Sequence, residues 1–125
     1  MIIWFNKNAK AAGTRQHDVR ISFVNKGKSV NISFTGDAAL EFGLNGMIHI
    51  GRDDKVLNRL YFVKTSPNDP VNYGYCYKLS KYAGKTLRIT ISTPEFVSYV
   101  KSLLSDKKFV EHDLRRCKEG VFVDL

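Results

Sequence analysis

Cysteine is scarce in this chain: Cys76 and Cys117 are the only two in 125 residues. Two cysteines so far apart in sequence make neither a clustered zinc motif nor a disulfide framework, which fits a reducing compartment. Long apolar runs are missing too; none nears the roughly 18 residues that cross a bilayer, so no membrane partner is expected. The opening MIIWFNKNAK has a short apolar stretch and no basic leader, so a cytoplasmic protein without a signal peptide is expected. There is no glycine-rich phosphate loop, no G-x-S-x-G elbow and no H-E-x-x-H helix. His17, His49 and His112 are spread along the chain. Glu111-His112-Asp113 with Cys117 does not make a metal set, because neighbours on a strand point to opposite faces. A non-catalytic protein with no metal and no cofactor is the expectation.

Acidic residues are also few, 12 against 20 basic, for a formal charge of +8. The excess is unevenly placed. Over residues 1–35, Lys7, Lys10, Arg15, Arg20, Lys26 and Lys28 stand against Asp18 alone. A basic segment of this kind attracts polyanions, nucleic acid first.

What the chain does have is an internal echo. Residues 30–65, VNISFTGDAALEFGLNGMIHIGRDDKVLNRLYFVKT, read as strand, short helix, strand, strand. Residues 87–125, LRITISTPEFVSYVKSLLSDKKFVEHDLRRCKEGVFVDL, repeat that order at similar spacing. Each is preceded by a further candidate strand, at 18–24 and 73–79. The chain thus parses as two ββαββ units, 18–65 and 73–125, behind a basic arm at 6–17. Units this small share one core, so a single α+β domain over 1–125 is expected.

Local signals support that parse. Val19, Ile21 and Phe23 alternate with polar residues, as do Val30, Ile32 and Phe34. Asn25-Lys26-Gly27-Lys28 supplies the turn between them, with two lysines at its tip. Thr35 or Asp37 starts a short helix that Gly43 or Gly46 ends. Strands are predicted at 47–50 and 59–64, with Asp53-Asp54 solvated in the polar turn between them. Pro67 and Pro70 mark a linker. In the second unit, Gly84 turns the hairpin, and Leu87, Ile89 and Ile91 alternate. Thr93-Pro94-Glu95 opens a helix whose apolar face runs through Phe96, Val100 and Leu103. Asp106-Lys107-Lys108 ends it, and strands at 109–112 and 121–123 close the chain.

The segments VNISFTGDAALEFGLNGMIHIG and RLYFVKT resemble the AbrB-like swapped-hairpin family. Ala39, Leu40, Gly43, Leu44 and Gly46 stand where that family has small or apolar residues and glycine. The resemblance implies a small DNA-binding protein, a transcription regulator or antitoxin, whose two copies interleave hairpins and turn basic residues to DNA. Two copies in one chain imply a barrel-like pseudodimer, swapped-hairpin or double-psi in style. The chain lacks the family's Arg-x-Thr-Ile-Pro-like run before the helix, carrying Asn31, Ser33 and Phe34 there, so DNA contact from that strand does not carry over.

The candidate contacts to nucleic acid are Lys7, Lys10, Arg15, Arg20, Lys26 and Lys28, with Lys78, Lys81, Lys85 and Arg88 around the equivalent second hairpin. Tyr73, Tyr75 and Tyr77 fall on one face of a strand and give a second reading, a stacking platform for single-stranded bases. A third reading is a partner-binding module using an apolar patch around Trp4 and Phe5. A second copy of the chain is the other partner considered, as a homodimer.

Overall fold

A computed structural model describes residues 1–2, 17–65, 76–81 and 84–125, with Cys76 described by its backbone only. The arm at 6–16, Trp4, Phe5, Tyr73 and Tyr75 lie outside the described residues. In chain order the elements are β1 (Val19–Val24), β2 (Ser29–Phe34), α1 (Gly36–Glu41), β3 (Met47–Arg52), β4 (Arg59–Lys64), β5 (Cys76–Lys78), β6 (Ser80–Lys81), β7 (Leu87–Ile91), α2 (Pro94–Leu104), β8 (Phe109–His112), β9 (Arg115–Cys117) and β10 (Gly120–Asp124). They form an α+β fold of two antiparallel five-stranded sheets, ordered β6-β7-β2-β1-β8 and β5-β3-β4-β10-β9. As paired, the two sheets are not closed into a barrel.

Both sheets take strands from both units, and the pairing obeys one rule. Equivalent strands meet at the centre: β2 pairs β7 with Ile32 opposite Ile89, and β4 pairs β10 with Tyr61 opposite Phe122. Next to them, β1 takes β8 from the second unit while β5 takes β3 from the first. Alternation sends Val19, Ile21, Val30, Ile32, Phe34 and Ile91 of one sheet into the same core as Ile48, Leu60, Phe62, Val121 and Val123 of the other. The sheets meet where Phe34 and Phe62 cross edge to face, ring centroids 5.1 Å apart.

Both helices begin as their sequences predict, with one difference. At α1, Thr35 accepts the Ala38 amide on its hydroxyl at 3.2 Å. Gly43, at φ +66°, ends that helix while the Leu44 amide reaches back to the Ala39 carbonyl at 2.9 Å. At α2, Thr93 holds the cap position and Pro94 the first turn, but the Thr93 side chain makes no capping bond. The buried side chains of α2 are Val97, Val100 and Leu104, each contributing about 1.5–3 kcal/mol by burial, with Phe96 and Leu103 half-buried beside them.

The structure departs from the sequence expectation at three places. Of the strand expected over 73–79, 76–78 form β5 while 73–75 lie outside the described residues, and the chain then changes sheets. Leu79, buried at the crossing, donates its amide to the Gly46 carbonyl at 3.0 Å, and β6 continues against β7 in the other sheet. Period-two alternation carries no mark of such a crossing. The strand β9 is not predicted, because Arg115-Arg116-Cys117 has no apolar alternation; among the described residues it pairs only with β10. Asn31, expected on a half-solvated face, is buried, and its side-chain oxygen accepts the Thr90 hydroxyl at 2.6 Å. A central strand covers its polar groups with neighbours on both sides, which alternation alone does not reveal.

Candidate nucleic-acid interface

The first hairpin turns through three consecutive positive φ angles, Asn25 at 55°, Lys26 at 59° and Gly27 at 83°. Gly27 adopts this region freely; Lys26 does so at a cost of about 1–2 kcal/mol. The tip is tied down from both sides. The Lys28 amide donates to the Asn25 carbonyl at 3.2 Å, the Asn25 amide group donates to the Ser29 hydroxyl at 3.1 Å, and that hydroxyl meets Ser92 at 2.8 Å. Ser92 lies between β7 and α2, so the tip is fixed beside the helix. A Cβ at Gly27 would stand 3.8 Å from both Cε and Nζ of Lys101, in the last turn of α2.

This docking gathers cations from both units. Phe23, Lys26, Gly27, Lys101, Ser105, Lys107 and Lys108 line a concavity of about 540 Å³. Four of those seven residues are lysines and none is acidic. Lys28 is exposed on the same turn. Lysines close to a helix C-terminus also complement its dipole, a surface effect of about 0.3–1 kcal/mol. Lys107 and Lys108 are not among the sequence candidates because a charge run after a helix reads as a stop signal, and Lys101 because it stands within a helix far in sequence from the hairpin.

A second cation cluster forms at the sheet crossing. Lys78, Ser80, Lys81, Arg88, Ile89 and Thr90 line a concavity of about 230 Å³, again without a carboxylate among its described lining residues. Three of the four second-unit candidates are thereby brought together. Lys85 goes elsewhere. It sits in the Gly84 turn, packed so closely on Gly36 that a Cβ there would fall 3.0 Å from its carbonyl oxygen. The second hairpin thus docks at the start of α1, as the first docks at the end of α2.

Arg20 lies apart from both clusters. Its guanidinium stacks 4.1 Å above the Phe109 ring and reaches Glu111 at 4.0 Å. Tyr77 faces a third concavity of about 570 Å³ with Ile50, Phe96 and Tyr99, whereas its neighbour Lys78 belongs to the crossing cluster. Strand alternation puts the two on opposite faces. Lys7, Lys10, Arg15, Tyr73 and Tyr75 lie outside the described residues.

Other charges are already engaged. Arg59 forks onto Asp124 at 2.7 and 3.1 Å, and this pair raises the arginine's pKa and lowers the aspartate's. The Tyr61 hydroxyl donates to Asp53 at 2.6 Å. With the Lys55 and Val56 amides on its other oxygen, Asp53 falls from the ordinary 3.8 to about 2. His17 lies 3.4 Å from Asp113, and burial, followed by the charge of His17, lowers the pKa of His112. Among the described residues no group of three or more His, Cys, Asp or Glu is placed to hold a metal ion, and no helix is long and apolar enough to cross a membrane. Comparison of the chain with family models, with curated proteins and with solved structures found no match.

Proposed function

We propose that this protein is a non-catalytic nucleic-acid-binding protein, a DNA-binding regulator that grips the phosphate backbone. The observation that carries this reading is the pair of cation clusters with no carboxylate among their described lining residues, one at the first hairpin tip and one at the sheet crossing. Clustered lysines hold counterions that a phosphate backbone displaces, and their release drives binding. The net charge of +8 acts in the same direction by raising the rate of encounter. On this reading the tandem units form a barrel-like pseudodimer in the manner of AbrB-like swapped hairpins, and the arm at 6–17 adds Lys7, Lys10 and Arg15 to the grip. Its place of work is the cytoplasm.

Replacing Lys26→Glu and Lys28→Glu together tests the hairpin. The double variant is expected to bind DNA at least tenfold more weakly. The slope of log affinity against log salt should flatten by about one for each phosphate no longer neutralised. Both side chains are exposed, so the far-UV circular dichroism should be unchanged. An unaltered affinity and slope would remove the hairpin from the interface.

A further inference from the structure

We infer that the outer face of the sheet formed by β6, β7, β2, β1 and β8 is a path for a single strand of nucleic acid. The inference rests on the nucleic-acid reading above and names the form of ligand this surface fits.

Register defines the face. Across one row stand Glu111, Arg20, Ser33, Arg88 and Ser80, each directly opposite the next. Across the adjacent row stand Phe109, Ser22, Asn31 and Thr90. All of them alternate with side chains of the core, so both rows face away from it. The middle of the face is a floor of short polar groups, Ser22, Ser33 and Thr90, with Asn31 buried between them and accepting the Thr90 hydroxyl. On one side the Arg20–Phe109 stack forms a wall, with Phe109 at 45% exposure. On the other side the wall is the crossing cluster, where Lys78, Lys81 and Arg88 sit next to Thr90.

Two magnitudes favour a single strand over a duplex. Five strands set about 4.8 Å apart make a face roughly 19 Å wide. The major groove is about 12 Å wide and takes a helix or a two-stranded ribbon, so this face does not enter it. An unpaired strand laid across the face puts phosphates near the cations of either wall. It places a base against Phe109 and base edges over the hydroxyl groups of Ser22, Ser33 and Thr90. The Arg20–Glu111 contact does not block this arrangement. An exposed pair at 4.0 Å is worth about 0–1 kcal/mol, so Arg20 exchanges the carboxylate for a phosphate at little cost. Glu111 is then the one acidic residue in the two rows, and it opposes binding.

The test measures anisotropy of labelled oligothymidine and of a labelled hairpin duplex with the full chain and three variants. Phe109→Ala should weaken oligothymidine binding about five- to a hundredfold, the range for removing one base stack, and leave the duplex within about twofold. Phe109→Trp keeps a ring and should retain single-strand affinity. Glu111→Gln should tighten it several-fold, a gain that a merely structural role would not produce. If the unaltered chain binds with a steep salt dependence but Phe109→Ala and Glu111→Gln leave oligothymidine affinity unchanged, the sheet path is wrong and the wider reading stands. A loss in Phe109→Ala that is equal for both forms of DNA also overturns the path. If the unaltered chain binds neither form at low salt, both readings fall.

Discussion

Two kinds of charged residue are distinguishable in this fold. Arg59 and Asp124 neutralise one another through a fork of two hydrogen bonds, and Asp53 is held by Tyr61 and two backbone amides. The lysines around the first hairpin tip share their concavity with no carboxylate. The first kind ties paired strand ends and a turn together; the second, under the proposal, receives an anionic ligand. The engaged carboxylates have a consequence for acid stability. The folded pKa of Asp53 lies near 2, below its ordinary 3.8, and that of Asp124 is also lowered. The unfolded chain therefore takes up these protons first. The stability contributed is fully present above about pH 4 and is lost as the pH falls towards 2. Urea unfolding at stepped pH should show Asp53→Asn with a shallower loss across that window than the unaltered chain. Equal slopes would mean that the Tyr61 bond does not hold in solution. The polar turn at Asp53-Asp54 was legible in the sequence, since aspartates favour turns by bonding the backbone just ahead of them. The capture of Asp53 by Tyr61 was not, because residue order places the aspartate in a solvated turn and the tyrosine in a strand without joining the two.

At the scale of elements, hairpins and helices read well wherever a periodic pattern sits between turn residues. The first hairpin, α1 with Gly43 behind it and the Pro94 start of α2 all follow from residue order. The change of sheet at Leu79 and the short β9 do not, because each depends on partners distant in sequence. Arg116 shows the point: its guanidinium donates to the Glu41 carbonyl at 2.6 Å and lies 4.8 Å from the Phe42 ring, covering the end of α1. The candidate site was legible in part for the same reason. Lys26 stands at a turn whose form the sequence announces, whereas Lys101, Lys107 and Lys108 join it only once the tip docks on α2. The tip also allows binding to be separated from folding. Lys26→Gly relieves a left-handed φ of 59° and removes one cation. It should leave stability equal or raise it by up to about 1 kcal/mol, the strain relieved being partly offset by glycine's entropy. It should weaken DNA binding all the same. Thermal unfolding and anisotropy on one preparation check both halves, and a variant that is less stable and binds normally would contradict the assignment.

On the scale of the whole molecule, two short units of similar order interleave. Each sheet is completed by strands from the other unit, and equivalent strands pair at both centres. The ββαββ echo was visible in the sequence as a succession of patterns; the exchange of strands was expected only from the swapped-hairpin resemblance, because alternation names a strand without naming its neighbour. Interleaving has a functional consequence under the proposal. Lys26 of the first hairpin meets Lys101 of α2, and the cations of the crossing stand on the sheet to which the first hairpin belongs, so one fold carries both clusters. The central claim is that this fold binds a polyanion through its phosphates, and a salt series tests it most directly. Anisotropy of labelled single- and double-stranded DNA should show affinity falling linearly on a log–log plot, with a slope of several units in magnitude. Failure to bind either form at low salt, or binding indifferent to salt, would contradict the account.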